Sequence, residues 1–153
     1  MNMKAISPVI ATVIIVSVAI AIAVAVAFWM TGITGLFTRY EKLEIVSAYA
    51  TSSDGGWTIT IIVRNTGTTD TTVDQVFING IPSNQVDGIS SFTVDGVSDT
   101  TFSPPNNPLS LRTGETATIQ FTLNSDGFKP GQIVEVKLHT AAGNEYPKSV
   151  QLP

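Results

Sequence analysis

The sequence contains no cysteine and a single histidine among its 153 residues. The lack of cysteine excludes disulfide frameworks, thiolate zinc sites and cysteine nucleophiles. A serine triad would have to use His139, yet no Gly-x-Ser-x-Gly nucleophile motif is present. Because His139 lies in a predicted strand, we interpret it as a core or surface imidazole. We therefore expect no catalytic residue, no cofactor and no enzymatic activity.

Charge is scarce as well. Charged residues make up 13% of the chain, about half the usual share, and 8 basic side chains stand against 12 acidic ones. A net charge of −4 argues against a nucleic-acid partner, which requires a basic surface. The pairs Asp70 with Asp74 and Asp95 with Asp99 are each interpreted as loop neighbours. Neither pair has the ligand spacing of a calcium loop, so we expect no metal site.

What the chain does contain is one long apolar run. No ionisable residue occurs between Lys4 and Arg39, and the 22 residues from Val9 to Met30 are interrupted only by Thr12 and Ser17. About 20 apolar residues in a helix span the hydrocarbon core of a bilayer, roughly 30 Å. This length exceeds the apolar region of an ordinary secretory signal. The run therefore predicts a membrane-spanning segment.

Residues 18–27 alternate strictly between a β-branched residue and alanine. In water this alternation is typical of a strand, but in lipid a lone strand leaves its backbone groups unpaired, so a helix is favoured. Ser7 can cap its first turn, and Pro8 suits the first helical position. Small residues four apart allow close helix packing. They form two ridges, one of Ala19, Ala23 and Ala27 and the other of Ala21 and Ala25.

Gly32 and Gly35 are weak points at which the helix can bend or end, and we interpret them as a hinge. Residues 37–44 either add a turn or two of helix or serve as a connector. The rest reads as short strands separated by turn residues, which predicts a β-sandwich. The predicted strands are residues 43–50, 57–65, 72–78, 92–97, 100–102, 115–123, 133–140 and 145–152.

Two features of the predicted sandwich leave alternatives open. Its many threonines reflect either an ordinary strand preference or acceptors for O-linked glycans. Trp57 and Tyr49 form either a sugar-stacking surface or part of the core, and core packing is favoured for both.

The N-terminal residues carry a family resemblance. The run Lys4-Ala5-Ile6-Ser7-Pro8-Val9-Ile10-Ala11, with its very short charged leader, resembles archaeal type IV pilins. In that family a membrane prepilin peptidase cleaves just before the apolar stretch. The resemblance implies that Lys4 is the basic residue and Ala5 the small residue before the cut, so that the mature chain begins at Ile6. It also implies three parts: a leader at 1–5, a membrane and filament-core helix at 6–38, and an immunoglobulin-like sandwich head at 39–153.

Position 10 distinguishes the branches of the pilin family. Bacterial pilins typically have a glutamate at the fifth mature position, whereas this chain has Ile10. Ile10 has no carboxylate that could pair with the N-terminus of a neighbouring subunit, as expected for the archaeal branch.

The resemblance implies a structural subunit of an extracellular adhesive pilus whose main partner is itself. A cytoplasmic assembly ATPase and a membrane platform protein would move precursor subunits from the cytoplasmic membrane, head outside, into a filament. Two alternatives stay open. One is an archaellin-like subunit of a motility filament, and the other is a membrane-anchored surface binding domain that does not polymerise.

Overall fold

The computed structural model describes residues 7–89, 92–97 and 101–153, with positions 36 and 37 described by their backbone alone. The chain divides into two compact units between Arg39 and Tyr40. We call the unit from Tyr40 to Pro153 the head. The expected α+β organisation, a long apolar N-terminal helix followed by a β-sandwich, is confirmed. The immunoglobulin-like refinement of that expectation stays a prediction.

Helix α1 comprises Ser7–Phe37, 31 residues without a break. Its β-branched residues have lower helix propensity than alanine, and alanine alternates with them through the central stretch. Of the two readings of residues 37–44, the connector is correct, because α1 ends at Phe37 and the next regular element begins at Leu43.

The head contains nine strands and one short 3-10 turn at Ser83–Gln85 within its described residues. The strands are β1 Leu43–Ser53, β2 Gly56–Asn65, β3 Thr71–Ile78, β4 Ile81–Pro82, β5 Thr93–Asp95, β6 Leu109–Leu111, β7 Thr116–Asn124, β8 Ile133–Thr140 and β9 Glu145–Gln151. They form two sheets whose strand pairs are antiparallel. The four-stranded sheet has the order β1-β2-β7-β5. The five-stranded sheet has the order β4-β3-β8-β9, with β6 also paired to β3.

The core of the head consists of alternate residues on the inner faces of the two sheets. In β2 the buried series begins at Trp57 and continues through Ile59, Ile61 and Val63. Strand β7 supplies a matching series that includes Phe121, which is 1% exposed. This period of two is what the sequence predicts for a sheet with one solvated face. Trp57 also donates from Nε1 to the carbonyl of the C-terminal residue at 3.0 Å.

Tyr49 does not join this core, contrary to the sequence-based prediction. It is 46% exposed, because a β-bulge between Ile45 and Ser47 places Val46 as an extra residue in β1. One inserted residue turns every later side chain to the other face of a strand. The inward positions therefore pass from Ile45 to Ala48, and Tyr49 points outward.

Other predictions differ in detail. Of the strand predicted at residues 100–102, position 100 lies outside the described residues, and Thr101 and Phe102 are not in a strand. Phe102 is nevertheless buried and packs edge-on against Phe92, with ring centroids 5.5 Å apart. Strands β4 and β6 were not expected because two or three residues show no periodicity.

Candidate assembly surface

Large apolar side chains project from every side of α1 and are exposed along Val9 to Met30. Fourteen of its large apolar side chains, from Val9 to Met30, are exposed, each by 48% or more. A helix that is apolar on every side is stable only inside lipid or inside a protein assembly. Among the described residues, Ser7–Gly35 is long and apolar enough to cross a membrane. At 1.5 Å per residue α1 extends about 46 Å, which exceeds the hydrocarbon thickness of a bilayer.

Four hydroxyl groups of α1 are bonded within the helix itself. Thr12 Oγ1 donates to the Val9 carbonyl at 2.8 Å, and Ser17 Oγ donates to the Val13 carbonyl at 2.7 Å. Near the other end, Thr31 and Thr34 donate to the carbonyls four residues earlier, at 2.8 and 2.7 Å. Because an unpaired polar group is costly in an apolar medium, these bonds suit the helix to lipid or a dry interface.

The alanines of α1 lie on two opposite faces. Successive residues of a helix are about 100° apart, so positions two apart differ by about 200° and positions four apart by about 40°. The ridge of Ala19, Ala23 and Ala27 is therefore centred about 180° from the ridge of Ala21 and Ala25. All five alanines are exposed. The strict alternation thus gives the helix two narrow alanine ridges, which we call the alanine seams and which are separated by stripes of isoleucine and valine.

Gly32 and Gly35 lie inside the continuous helix. An added Cβ at either position would meet nothing within 4 Å, so no contact with the described residues requires a glycine there. Each glycine costs a helix about 1 kcal/mol relative to alanine. The predicted hinge at these positions stays a prediction.

The processing residues Lys4, Ala5 and Ile6 lie outside the described residues. Ser7 is the first residue of α1, and Pro8 follows it in the first turn, where the missing N–H breaks no helical hydrogen bond. The capping role of Ser7 stays a prediction.

The head begins with a short clamp. Residues 40–42, which we call the junction segment, lie against the turn that follows β2. Thr66 and Gly67 both donate to the Lys42 carbonyl, at 2.9 and 3.1 Å, and Thr68 donates to the Tyr40 carbonyl at 2.9 Å. The Tyr40 N–H in turn donates to Thr68 Oγ1 at 2.9 Å. These four hydrogen bonds thus hold the junction segment, which precedes β1, against the turn between β2 and β3.

A buried asparagine organises the same turn. Asn65 is 0% exposed, and its Nδ2 donates to the Thr69 and Leu111 carbonyls at 2.8 and 3.0 Å. Its Oδ1 accepts the Gly67 N–H at 2.9 Å. Gly67 is required by space, because a Cβ there would lie 2.6 Å from the Tyr40 carbonyl oxygen. Nothing in the sequence pattern marked this turn beyond its polar composition.

The two acidic residues of the first pair have different partners. Asp74 was assigned to a loop, but this is wrong, since it lies in β3 with its carboxylate 2.6 Å from His139 Nδ1. Asp70 instead accepts the Thr113 N–H at 3.1 Å. Asp99 lies outside the described residues. Within the described part of the chain, no group of three histidine or acidic side chains is placed to hold a metal ion.

A groove of about 350 Å³ lies at the end of the head where β3 finishes. Apolar side chains such as Ile78, Ile81 and Phe128 line it, and among its described lining residues Asp87 alone is ionisable.

Comparisons with known proteins give only distant similarity. No protein-family model and no curated protein matches the sequence. Among solved structures, the archaellum periplasmic stator protein FlaG from Sulfolobus acidocaldarius is 20% identical, with a TM-score of 0.46 over 72% of this chain and 99% of that one. A lipoprotein from Bacteroides thetaiotaomicron is 17% identical, with a TM-score of 0.43 over 74% of this chain and 78% of that one.

The Iho670 flagellar-like filament is 14% identical, with a TM-score of 0.38 over 95% of this chain and 98% of that one. Similarity at this level does not assign the chain to a family.

Proposed function

We propose that the chain is the structural subunit of an extracellular archaeal type IV pilus that attaches cells to surfaces. In this proposal the α1 helices of many copies pack into the filament core, and the heads form its outer surface. The observation that carries it is the uncovered apolar helix, together with the pilin-like run Lys4 to Ala11 that precedes and enters it. The subunit itself needs no catalytic group, cofactor or nucleotide for this role.

The driving force for assembly is burial of α1. Fully burying one large apolar side chain contributes about 1.5–3 kcal/mol, so the fourteen exposed ones represent about 20–40 kcal/mol per subunit relative to water. A subunit that leaves the membrane must therefore place its helix among other helices at once. The bonded hydroxyl groups of α1 remove a cost that would otherwise oppose this transfer.

The geometry of the alanine seams favours an open polymer. Because Ala23 and Ala25 lie on opposite faces, one helix can approach one neighbour on each side. Contacts that use two different faces are heterologous, and such contacts extend into a helical fibre when they do not close into a ring. Small residues at both seams permit close approach of the backbones.

The proposed route begins in the cytoplasmic membrane, with Lys4 inside and the head outside. A prepilin peptidase cleaves between Ala5 and Ile6, and an assembly ATPase with a membrane platform protein delivers the subunit to the filament base. An archaellin-like motility filament uses the same helix packing. A membrane-anchored binding domain, in contrast, requires that α1 stays in lipid.

Shearing of cells that produce the chain separates these roles. We expect the sheared fraction to contain thin filaments by electron microscopy, with peptides of this chain as their main component. Recovery of the chain only from membranes, as single particles, would refute the filament and favour the anchored domain. Filaments that rotate in tethered-cell assays would favour the motility role.

The seams are tested by Ala23→Trp, which places an indole ring on one alanine ridge. We expect this variant to insert into membranes at the normal level but to form no filaments. Ala23→Ser is the matched control, because serine is also small and should still assemble. Filaments of normal abundance from Ala23→Trp would rule out close packing at this ridge.

A further inference from the structure

The outer side of the four-stranded sheet carries rows of hydroxyl groups that the proposed helix packing does not use. Cross-strand partners share a face of a sheet. In one row Tyr49 is the partner of Thr60, Thr60 of Gln120, and Gln120 of Thr93. Thr60 is only 4% exposed, so Tyr49, Gln120 and Thr93 are the members of this row that a ligand can reach. This row crosses all four strands.

One neighbouring row has the same character, because Thr51 is the partner of Thr58, and Thr58 of Thr122. The row on the other side is mixed and consists of Ser47, Ile62, Thr118 and Asp95. We call the outward side chains of β1, β2, β7 and β5 the threonine face. Within these described strands, its ionisable members are confined to the margins: Glu44 and Arg64 at one end and Asp95 in the short edge strand.

The outer side of the five-stranded sheet, in contrast, carries charged side chains. Asp74 and His139 interact there at 2.6 Å, and Lys137 bonds Glu145 at 3.0 Å while its Nζ lies 5.1 Å from the centre of the Phe77 ring. These charges occupy the middle of the sheet, as on an ordinary solvated surface. The absence of charge from the middle of the threonine face is therefore a property of that face and not of the head as a whole.

The composition of the threonine face favours a carbohydrate over a protein partner. Protein interfaces depend on a centre of large aromatic, aliphatic or arginine anchors. Here the face offers two large aliphatic side chains, Ile62 and the bulge residue Val46, which is 58% exposed, among hydroxyl and amide groups. Tyr49, 46% exposed at the end of its row, supplies an aromatic ring of the kind on which a sugar can stack.

The net negative charge of the head argues against an anionic ligand. From Arg39 onward the chain has 7 basic residues, the 8 of the whole sequence less Lys4, against all 12 acidic ones. An anionic polymer would be repelled by such a head and would find no cation in the middle of the threonine face. A ligand with many hydroxyl groups and no charge matches both the face and its surroundings.

We infer that the threonine face binds a neutral polysaccharide, which lies across the strands with one ring stacked on Tyr49 and its hydroxyl groups bonded to the accessible threonine and glutamine side chains, the buried Thr60 excepted. This inference rests on the proposed attachment role, for which it supplies the class of ligand. It concerns each head separately, so it can be tested without assembled filaments.

The test uses the full chain in detergent micelles, run on native gels cast with hydroxyethyl cellulose, dextran or galactomannan, and with alginate as the anionic comparison. We expect at least one neutral polymer to retard the chain and alginate not to do so. Thr58→Lys introduces a charge into the middle of the face, and Tyr49→Ala removes the ring. We expect each to raise the dissociation constant from the gels by about tenfold or more.

Two matched controls keep the interpretation specific. Ser149→Lys adds the same charge to the other sheet, and Tyr40→Ala removes a tyrosine that is 50% exposed but lies outside the face. Both should bind like the unmodified chain, and circular dichroism should show all four variants folded. The inference is overturned if no neutral polymer retards the chain, or if the controls lose as much binding as the test variants.

A change in oligomeric state would also overturn it. If Thr58→Lys dissociates a complex between copies that the unmodified chain forms in detergent, the face is an interface between heads. Failure of polysaccharide binding leaves filament formation intact, whereas failure of the shearing experiment leaves the gel result intact. The two proposals can thus be refuted independently.

Discussion

Replacement of Gly67 by alanine probes the clamp at the start of the head. The new Cβ would lie 2.6 Å from the Tyr40 carbonyl oxygen and 2.7 Å from the Lys42 nitrogen, both backbone atoms. Ordinary contact begins near 3.4 Å, so the junction segment must move by about 0.8 Å (3.4 less 2.6). A displacement of this size stretches the four hydrogen bonds that backbone N–H groups donate between the junction segment and the turn after β2, which now measure 2.9–3.1 Å.

The expected cost follows from these bonds. If three of the four are lost, at about 0.5–1.5 kcal/mol each, Gly67→Ala lowers the free energy of unfolding by about 1.5–4.5 kcal/mol. Urea unfolding of the full chain in detergent measures it, with Trp57 as the fluorescent probe because its side chain is only 5% exposed. A Trp29→Phe background removes the signal of the helix tryptophan.

Gly127→Ala is the matched control for this measurement. Gly127 has no positive φ, and a Cβ there would meet nothing within 4 Å, so alanine should change stability by less than about 1 kcal/mol. If Gly67→Ala and Gly127→Ala shift the unfolding midpoint equally, the clamp does not stabilise the head and the steric reasoning is wrong.

Three further changes test other parts of the chain. Asn65→Ala should lower the free energy of unfolding by about 2–4 kcal/mol because this buried side chain makes three hydrogen bonds that are lost, whereas the exposed control Asn144→Ala should cost under about 0.5 kcal/mol in the same urea assay. Lys4→Glu should leave unprocessed precursor on immunoblots, while Lys4→Arg is processed; equal processing of both would refute the predicted cleavage site. Asp74→Asn should cost under about 1 kcal/mol, because the two side chains in its pair with His139 are 38% and 30% exposed. A larger loss would show that this pair is structural.

The sequence predicted the features that depend on local periodicity. The unbroken apolar run predicts α1, which the structure places at Ser7–Phe37 against the predicted 6–38. Alternation in residues 57–65 and 115–123 likewise predicts β2 and β7 to within one residue. The alternation reports burial directly, because the face on which a side chain lies follows from its position along a strand. The apolar run instead reports a helix that is apolar on every side.

What escaped prediction depends on contacts between distant residues or on one extra residue. Asp74 and His139 are 65 positions apart, and only the pairing of β3 with β8 brings them together. The bulge at Val46 leaves no mark in composition, yet it turns Tyr49 from the core to the surface. Likewise the requirement for Gly67 comes from residues 40–42, which precede it by a whole hairpin.

The hydroxyl groups of α1 have a consequence for which subunits can mix. The hydroxyl groups of four side chains already donate to carbonyls of their own helix, namely Thr12, Ser17, Thr31 and Thr34. These hydroxyl groups therefore do not donate to a neighbouring helix and do not help to recognise it. In the proposed filament, the shape of the packed helices alone would then determine which subunits fit the core. A related chain with the same alternation of alanine and β-branched residues would be incorporated as readily as an identical copy, and a single bulky residue on either seam would exclude it. The head, rather than the core, would be where such a mixed filament varies.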